Sequence, residues 1–219
     1  IQLSEHFTYR KLLRFVLPSI IMMIFTSIYS VVDGLFVSNF VGKTALAAIN
    51  LTLPIIMGLS ALGFMIGTGG SAIVARMLGE KKEDKANAYF SMLIYATMLG
   101  GIFLSVLGAI LIPSICSLLG AKGELLSDCV LYARLSFISM PAFMLQNVFQ
   151  SFFVTAEKPH LGLYVVIAAG VTNMVLDFLF VGILGFGLAG AALATVCGEF
   201  IGGLFPIFYF TRKNSSLLR

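Results

Sequence analysis

Six long runs of apolar residues, separated by short polar segments, organise the chain. A helix that spans a membrane needs about 20 predominantly apolar residues. The runs that meet this length are 12–40, 44–78, 86–112, 124–155, 161–183 and 188–210. The pattern therefore predicts an all-α membrane protein, a bundle of six transmembrane helices over residues 12–210. A polar segment, 1–11, precedes the bundle, and a polar tail or linker, 211–219, follows it.

Prolines and glycines inside the runs predict where the helices stop, bend or pack. Proline lacks the backbone N–H that a helix interior needs. We therefore expect the third span to stop at Pro113 and the second span to be interrupted at Pro54. Prolines inside the spans can also kink a helix, at Pro18, Pro54, Pro141 and Pro206. Small residues let membrane helices approach one another closely. The glycines expected to serve this purpose are Gly63, Gly67, Gly69, Gly70, Gly198, Gly202 and Gly203.

The composition supports a membrane protein and excludes a water-soluble domain. The chain is 59% hydrophobic and 11% charged, whereas soluble domains are about 25% charged. The net charge of +4 could suggest nucleic acid, but the basic residues lie in short loops between the spans, as in other membrane proteins. We therefore expect a lipid bilayer as partner and no nucleic acid. Cys116, Cys129 and Cys197 have no metal-type spacing or pairing pattern, and we expect no cofactor.

The distribution of Lys and Arg predicts the topology. Eleven of the 14 basic residues fall on the side that holds the N-terminus. Lys43 and Lys122 fall on the other side, and Arg134 lies inside the fourth span. Because loops rich in Lys and Arg stay in the cytoplasm, we expect a multi-pass protein of the cell membrane with both ends of the bundle cytoplasmic. The residues on that side are Arg10, Lys11, Arg14, Arg76, Lys81, Lys82, Lys85, Lys158, Arg212, Lys213 and Arg219.

A short internal repeat relates the first and fifth spans. The segment Val32-Asp33-Gly34-Leu35-Phe36-Val37 is similar to Leu176-Asp177-Phe178-Leu179-Phe180-Val181. Each copy precedes a glycine-containing turn and the alanine-rich start of the next helix. Chance similarity is an alternative in so apolar a sequence. If the repeat is real, it gives the two spans related roles, with one aspartate near the same end of each.

Three carboxylates lie inside the predicted spans: Asp33, Asp177 and Glu199. A charged residue at the centre of a membrane helix costs about 2.5–3.5 kcal/mol on insertion scales. Such residues persist where they face a cavity or bind an ion. The alternative is a carboxylate that reaches the membrane interface or pairs with a neighbouring hydroxyl group. Reaching the interface is easier for Asp33 and Asp177, which lie near helix ends, than for Glu199, which lies at the middle of its span.

Further polar residues accompany these carboxylates at helical spacing. Asn173 and Asp177 are four residues apart and share one helix face, as do Thr195 and Glu199. The oxygens of such side chains suit Na⁺, and the same carboxylates could hold a proton instead; the sequence leaves both open. Polar residues in spans also act as simple contacts between helices. Residues that could line a cavity are Tyr29, Asn147, Gln150 and Glu199.

Several motifs, in order along the chain, resemble one transporter family. The chain is similar to the multidrug and toxic compound extrusion (MATE) family in its first span, its second span with the following loop, the loop after the fourth span, and its fifth and sixth spans. The residues that carry the resemblance are Val32–Val37 with Gly42 and Ala45–Ala48, Gly70–Ala72, Ala75–Glu80, Ala156–Pro159, Asn173–Asp177 and Gly187–Thr195.

The resemblance implies one six-helix lobe of a two-lobe exporter that expels drugs or organic cations in exchange for H⁺ or Na⁺. It further implies a cation site, which could hold Na⁺, at Asp33, Asn173, Asp177 and Thr195, with Asn147 as a further match. Glu199 lies outside the family pattern. The length matches a single lobe, so a second lobe is the expected partner, either as a C-terminal half or as a second copy. A fragment, a half-size protein and an engineered lobe all fit this length.

Three other functions remain as alternatives. A flippase for lipid-linked oligosaccharides of the same superfamily would have a more basic cavity, whereas these spans contain almost no Lys or Arg. An intramembrane aspartyl protease would resemble a Tyr-Asp pair with Gly-x-Gly-Asp, but Asp33 follows Val32 and Asp177 follows Leu176. A purely structural membrane module would leave Asp33, Asn173 and Asp177 apart. Convergence of the predicted site residues inside the bundle would favour the transporter.

Overall fold

The computed structural model describes residues 9–212 and Leu218, apart from the side chains of Arg10, Lys11 and Arg14. This part of the chain is helical throughout, with short connections. The predicted segment 1–11 and tail 211–219 lie largely outside the described residues, as do Lys213 and Arg219. The elements are α1 (Tyr9–Phe36), π1 (Val37–Val41), α2 (Lys43–Gly79), α3 (Glu83–Leu118), α4 (Gly123–Ile138), α5 (Met140–Thr155), α6 (Pro159–Asp177), π2 (Phe178–Ile183) and α7 (Gly187–Thr211).

Over residues 9–212 the helices confirm a membrane bundle, with up to six candidate spans. Five are long and apolar enough to cross a membrane on their own, counting α1 with π1 and α6 with π2. The sixth is the pair α4 and α5, which meet the same test together and are bent by 57° at the break between them. The fourth predicted span is therefore a broken helix.

The prediction that the third span stops at Pro113 is wrong. Helix α3 continues through Pro113 to Leu118. Without its N–H, Pro113 cannot bond to the carbonyl of Ala109, four residues earlier. The side chain of Arg134 on α4 supplies the missing donor, since its Nε donates to the Ala109 oxygen over 3.4 Å. A tertiary contact therefore allows the helix to tolerate its proline.

Pro141 marks the break between α4 and α5. It cannot donate to the carbonyl of Phe137, one turn earlier in α4. The hydroxyl group of Ser105 on α3 donates to this carbonyl instead. Gly101, one turn before Ser105, leaves the room for this approach, because a β-carbon there would lie 2.6 Å from the Cα of Pro141. Helix α3 thus packs directly against the break.

The internal repeat has a structural counterpart. Both copies end in a short π-helix, π1 after α1 and π2 after α6, and the two π-helices contact each other. Asp33 lies one turn before π1, and Asp177 immediately precedes π2. Single turns of π-helix are rare and frequently occur at functional sites. Both aspartates therefore lie where the regular α-helical hydrogen bonding changes.

Helix α5 lies at the centre of the bundle and packs against α2, α3 and α7. Backbones approach closely at several of the predicted glycines: a β-carbon at Gly63 of α2 would lie 2.9 Å from the Cα and carbonyl oxygen of Met144 on α5. Gly203 of α7 meets the backbone of Ala142 in the same way. Gly69, by contrast, faces open space, so the packing prediction is wrong at that position. Helix α1 packs mainly against α6, which brings the two halves of the repeat together.

Candidate cation site

Asp33 of α1 and Asp177 of α6 form the centre of the site. Their carboxyl groups lie within hydrogen-bonding reach of each other. Asp177 is fully buried, and Asp33 is partly buried with its Oδ1 out of contact with solvent. The two aspartates of the internal repeat, 144 positions apart in the sequence, thus meet side by side in the bundle.

A glycine on α6 allows this approach of α1. A β-carbon at Gly170 would lie 2.6 Å from Cε1 of Phe25 and 3.2 Å from Cδ1 of Tyr29, both on α1. Gly170 lies three residues before Asn173, so the close contact occurs within about two turns of Asp177. The small residue on α6 and the aromatic residues on α1 therefore fix the distance between the helices that carry the aspartates.

Asn173 and Thr195 join the site from α6 and α7. The Nδ2 of Asn173 donates to Oγ1 of Thr195 over 3.4 Å, and Thr195 donates its own hydrogen to the Ala191 carbonyl over 3.1 Å. Gly198 permits this contact, since a β-carbon there would lie 2.9 Å from the Ala169 carbonyl oxygen. Because Nδ2 is engaged, Asn173 keeps its Oδ1 as an acceptor one turn from Asp177 on the same helix face.

Four buried oxygens of the site have no hydrogen-bond donor among the described residues. They are Oδ1 of Asp33, Oδ1 of Asn173, and both Oδ1 and Oδ2 of Asp177. Buried polar atoms are normally hydrogen-bonded, and a buried charge is normally paired. Two carboxylates in contact can bond to each other only through a shared proton, and otherwise require a cation. The donor set therefore fits a proton or a hard, oxygen-seeking cation.

The composition of the site argues against a multivalent transition metal. Across residues 9–212, no group of three or more His, Cys, Asp or Glu side chains comes close enough to hold a metal ion. The site instead combines two carboxylates with neutral amide and hydroxyl oxygens. This set carries little negative charge for its number of oxygens, which suits H⁺ or Na⁺ better than a divalent ion.

A small cavity of about 30 Å³ adjoins the site. One water molecule requires roughly 10–15 Å³ by this measure, so the cavity has room for about two. Four helices, α1, α5, α6 and α7, contribute its walls. The lining residues are Tyr29, Phe143, Gln146, Val166, Ala169, Gly170, Asn173, Thr195, Gly198 and Glu199.

Two of the predicted cavity residues line this cavity and two do not. Tyr29 and Glu199 line it, whereas Asn147 and Gln150 are not part of its wall in the described structure. Asn147 is buried, and its backbone carbonyl oxygen would lie 3.2 Å from a β-carbon at Gly67 of α2. The sequence offered no way to orient α5, because its polar residues Gln146, Asn147, Gln150 and Ser151 point in different directions around a mainly apolar helix.

Gln146 is a cavity residue that the sequence pattern did not single out. It lies one turn before Gln150 on α5 and reaches α7, where a β-carbon at Gly202 would come 2.5 Å from its Oε1. The signal available was the spacing of Gln146 and Gln150, four residues apart on one helix face. That spacing did not indicate whether Gln146 or Gln150 would line a cavity.

Comparisons with known proteins agree with one another. The profile of the MatE family matches residues 18–179. A multidrug export protein MepA from Staphylococcus haemolyticus is 32% identical over 98% of this chain and 47% of its own length. A protein of the same description from Staphylococcus saprophyticus is 29% identical over 94% of this chain and 46% of its own length.

Solved structures give the same result. The outward-facing structure of a multidrug resistance MATE family transporter of the MOP superfamily superposes with a TM-score of 0.88 at 27% identity. It covers 94% of this chain, which in turn covers 46% of that chain. The chain therefore spans about half the length of the relatives that it matches.

Proposed function

The chain belongs to the MatE family, and from this premise we propose that it forms the N-terminal lobe of a multidrug exporter driven by an inward flow of H⁺ or Na⁺. The Asp33–Asp177 pair, with Asn173 and Thr195, binds the coupling ion. The observation that carries the proposal is the set of four buried acceptor oxygens without donors at this site. In the proposed topology, both ends of the lobe face the cytoplasm. The exported compounds are drugs or organic cations.

The ion acts on the lobe by removing a charge. With both carboxylates ionised, two like charges meet in a region from which water is largely excluded, and their repulsion separates α1 from α6. A bound proton or Na⁺ neutralises one charge and allows the helices to pack together. Coupling to export requires that the ion and the drug favour different conformations. The change of helix type beside each aspartate supports the view that such a rearrangement begins at the α1–π1 and α6–π2 junctions.

A second six-helix lobe completes the transporter. The relatives are about twice as long as the part that this chain matches, and a drug path between two lobes needs both. The second lobe is either a C-terminal half or a second copy of this chain. Gel filtration of the chain alone and together with a C-terminal lobe of a MepA relative distinguishes these arrangements.

The alternatives from the sequence receive less support. The lining of the cavity beside the site contains no Lys or Arg, and Arg134 contacts the Ala109 carbonyl on α3, so this cavity is not the basic one expected of a flippase for anionic lipid-linked sugars. The contact of Asp33 and Asp177 would also suit an aspartyl dyad. The match to a family of transporters, together with the missing protease motifs, decides against an enzyme.

The test is drug efflux by the assembled transporter in cells that load ethidium. Asp33→Asn and Asp177→Asn keep the shape of each side chain but cannot carry its charge. We expect each to reduce efflux by more than about tenfold, a change of about 1.4 kcal/mol in coupling. Asp84→Asn, on an exposed residue in the first turn of α3, is the matched control. Normal efflux in both site variants would refute the proposal.

A second measurement identifies the ion. The variants and the parent protein are assayed for export driven by a proton gradient at constant Na⁺, and by a Na⁺ gradient at constant pH. The gradient that drives export in the parent protein and fails to do so in both aspartate variants identifies the ion that the site binds.

A further inference from the structure

Glu199 is a third carboxylate inside the bundle, partly buried, that the aspartate pair does not explain. It lies midway along α7, one turn after Thr195, and lines the cavity together with Tyr29 of α1. Its Oε2 lies 2.5 Å from the hydroxyl oxygen of Ser139. A carboxylate at the middle of a membrane span is costly unless it is paired or exchanges its charge.

Ser139 is the residue at the break between α4 and α5, and it is completely buried. Its hydroxyl group has two acceptors within reach, Oε2 of Glu199 and, at 3.0 Å, the carbonyl oxygen of Ser136 in the last turn of α4. A hydroxyl group carries one hydrogen. It can therefore donate fully to the carboxylate or to the backbone of α4, but not to both.

The charge on Glu199 decides between the two partners. An ionised Glu199 only accepts hydrogen bonds, so it takes the hydrogen of Ser139. A protonated Glu199 can donate its own hydrogen to the Ser139 oxygen, which frees the Ser139 hydrogen for the Ser136 carbonyl. One proton added to Glu199 thus exchanges the hydrogen-bond partner of Ser139 at the break of the fourth span.

The cavity provides the route for that proton. Asn173 and Thr195 of the cation site line it together with Glu199, so one space adjoins both the cation site and Glu199, and it has room for about two water molecules. The ionisable groups that interact with Glu199 are Tyr29 from α1 and Tyr132 from α4, and the two aspartates interact with these tyrosines in turn. From α5 the neutral amide of Gln146 faces the same cavity.

We propose that Glu199 is a second proton-binding site of the lobe, separate from the Asp33–Asp177 pair, and that its proton selects the partner of Ser139 at the break between α4 and α5. The proton comes from water in the cavity and returns there when Glu199 ionises, so no other reactant is needed. The use of this proton in export rests on the proposed function, but its binding does not.

Infrared difference spectroscopy of the purified 219-residue chain in lipid tests the proposal directly. Protonated carboxyl groups absorb separately from carboxylates, and spectra between acidic and alkaline pH show each group that exchanges a proton. We expect Glu199→Gln to remove one protonated-carboxyl component, and Asp33→Asn with Asp177→Asn to leave that component in place. Glu124→Gln, on an exposed residue of α4, should leave the component that depends on Glu199 unchanged.

Ser139→Ala tests the hydrogen bond between Glu199 and Ser139 independently of proton binding by Glu199. The variant should keep the Glu199 component but shift its frequency, because the carboxyl group loses its hydrogen bond to Ser139. Glu80 is not confused with it, because its hydrogen bonds to Lys82 and Arg76 lower the pKa of the Glu80 carboxyl, so that it stays ionised until the pH falls below the usual range of a glutamate.

Several outcomes decide the matter. A spectrum of Glu199→Gln identical to that of the parent chain overturns the proposal, as does loss of the same component in the aspartate variants. If the Glu199 component is present and no component depends on the aspartates, the second site stands and proton binding by the pair fails. Where Glu199→Gln is not recovered in folded form, Glu199→Asp keeps the carboxyl group and should move the component rather than remove it.

Discussion

Arg134 donates a hydrogen bond to the carbonyl of Ala109, which is the carbonyl that Pro113 leaves without a helical donor. A charged side chain in the fourth span thus completes the backbone of the third. Hydrogen bonds inside a membrane bundle cannot be replaced by water, so a carbonyl freed by proline needs a partner from a neighbouring helix. The contact explains how α3 passes through its proline without a break.

Loss of the Arg134 side chain should therefore matter only while the proline is present. We expect Arg134→Ala to lower the free energy of unfolding by about 1–2 kcal/mol, toward the lower end of the range for a hydrogen bond to a charged group, because Arg134 is exposed. In a chain that already carries Pro113→Ala the same change should cost much less, because the helix then supplies its own donor. Thermal unfolding in detergent of the two single variants and the double variant measures this difference. Equal costs in both backgrounds would show that Arg134 acts elsewhere.

Ser105 plays the same part for Pro141. Its hydroxyl group donates to the Phe137 carbonyl at the break of the fourth span, so Ser105→Ala should cost about 1 kcal/mol of stability. Ser114→Ala is the matched control, since Ser114 lies on the same helix and is exposed. Thermal unfolding of the two variants checks the expectation, and an equal effect of both changes would count against it.

Two glycines on α2, Gly63 and Gly58, allow the effect of close helix packing to be distinguished from that of helix propensity. A β-carbon at Gly63 would lie 2.9 Å from the backbone of Met144, whereas one at Gly58 on the same helix would meet open space. We expect Gly63→Ala to destabilise the bundle by about 1–3 kcal/mol, the usual cost of overpacking. Gly58→Ala should be neutral or stabilise by up to about 1 kcal/mol, since alanine favours the helix. Unfolding temperatures that fall equally in both variants would contradict the close contact between α2 and α5.

The sequence predicted the spans and a candidate set of site residues that the structure brings together, but not the contacts that place them. Spans are predictable because their length is set by the membrane. Asp33 and Asp177 stand out because charged residues are rare at such positions. The continuation of α3 through Pro113 depends on the contact of Arg134 with Ala109, two residues that lie 25 positions apart on different helices. A pattern of neighbouring residues in the sequence cannot reveal such a contact. The same holds for Gln146, whose orientation depends on how α5 packs against α7.

Thr195 offers the sharpest test of the neutral oxygens in the site. Its Oγ1 accepts a hydrogen bond from Asn173 and thereby keeps Oδ1 of Asn173 directed away from Thr195. Thr195→Val preserves the shape of the side chain but removes the acceptor, so the amide of Asn173 loses its fixed orientation. We expect binding of the coupling ion to weaken by about tenfold, or about 1.4 kcal/mol. Thr195→Ser keeps the hydroxyl group and should bind as the parent chain does. Isothermal titration with Na⁺, and with pH changes for H⁺, measures both variants; weakening in the serine variant as large as in the valine variant would show that packing, rather than the oxygen, is what the site requires.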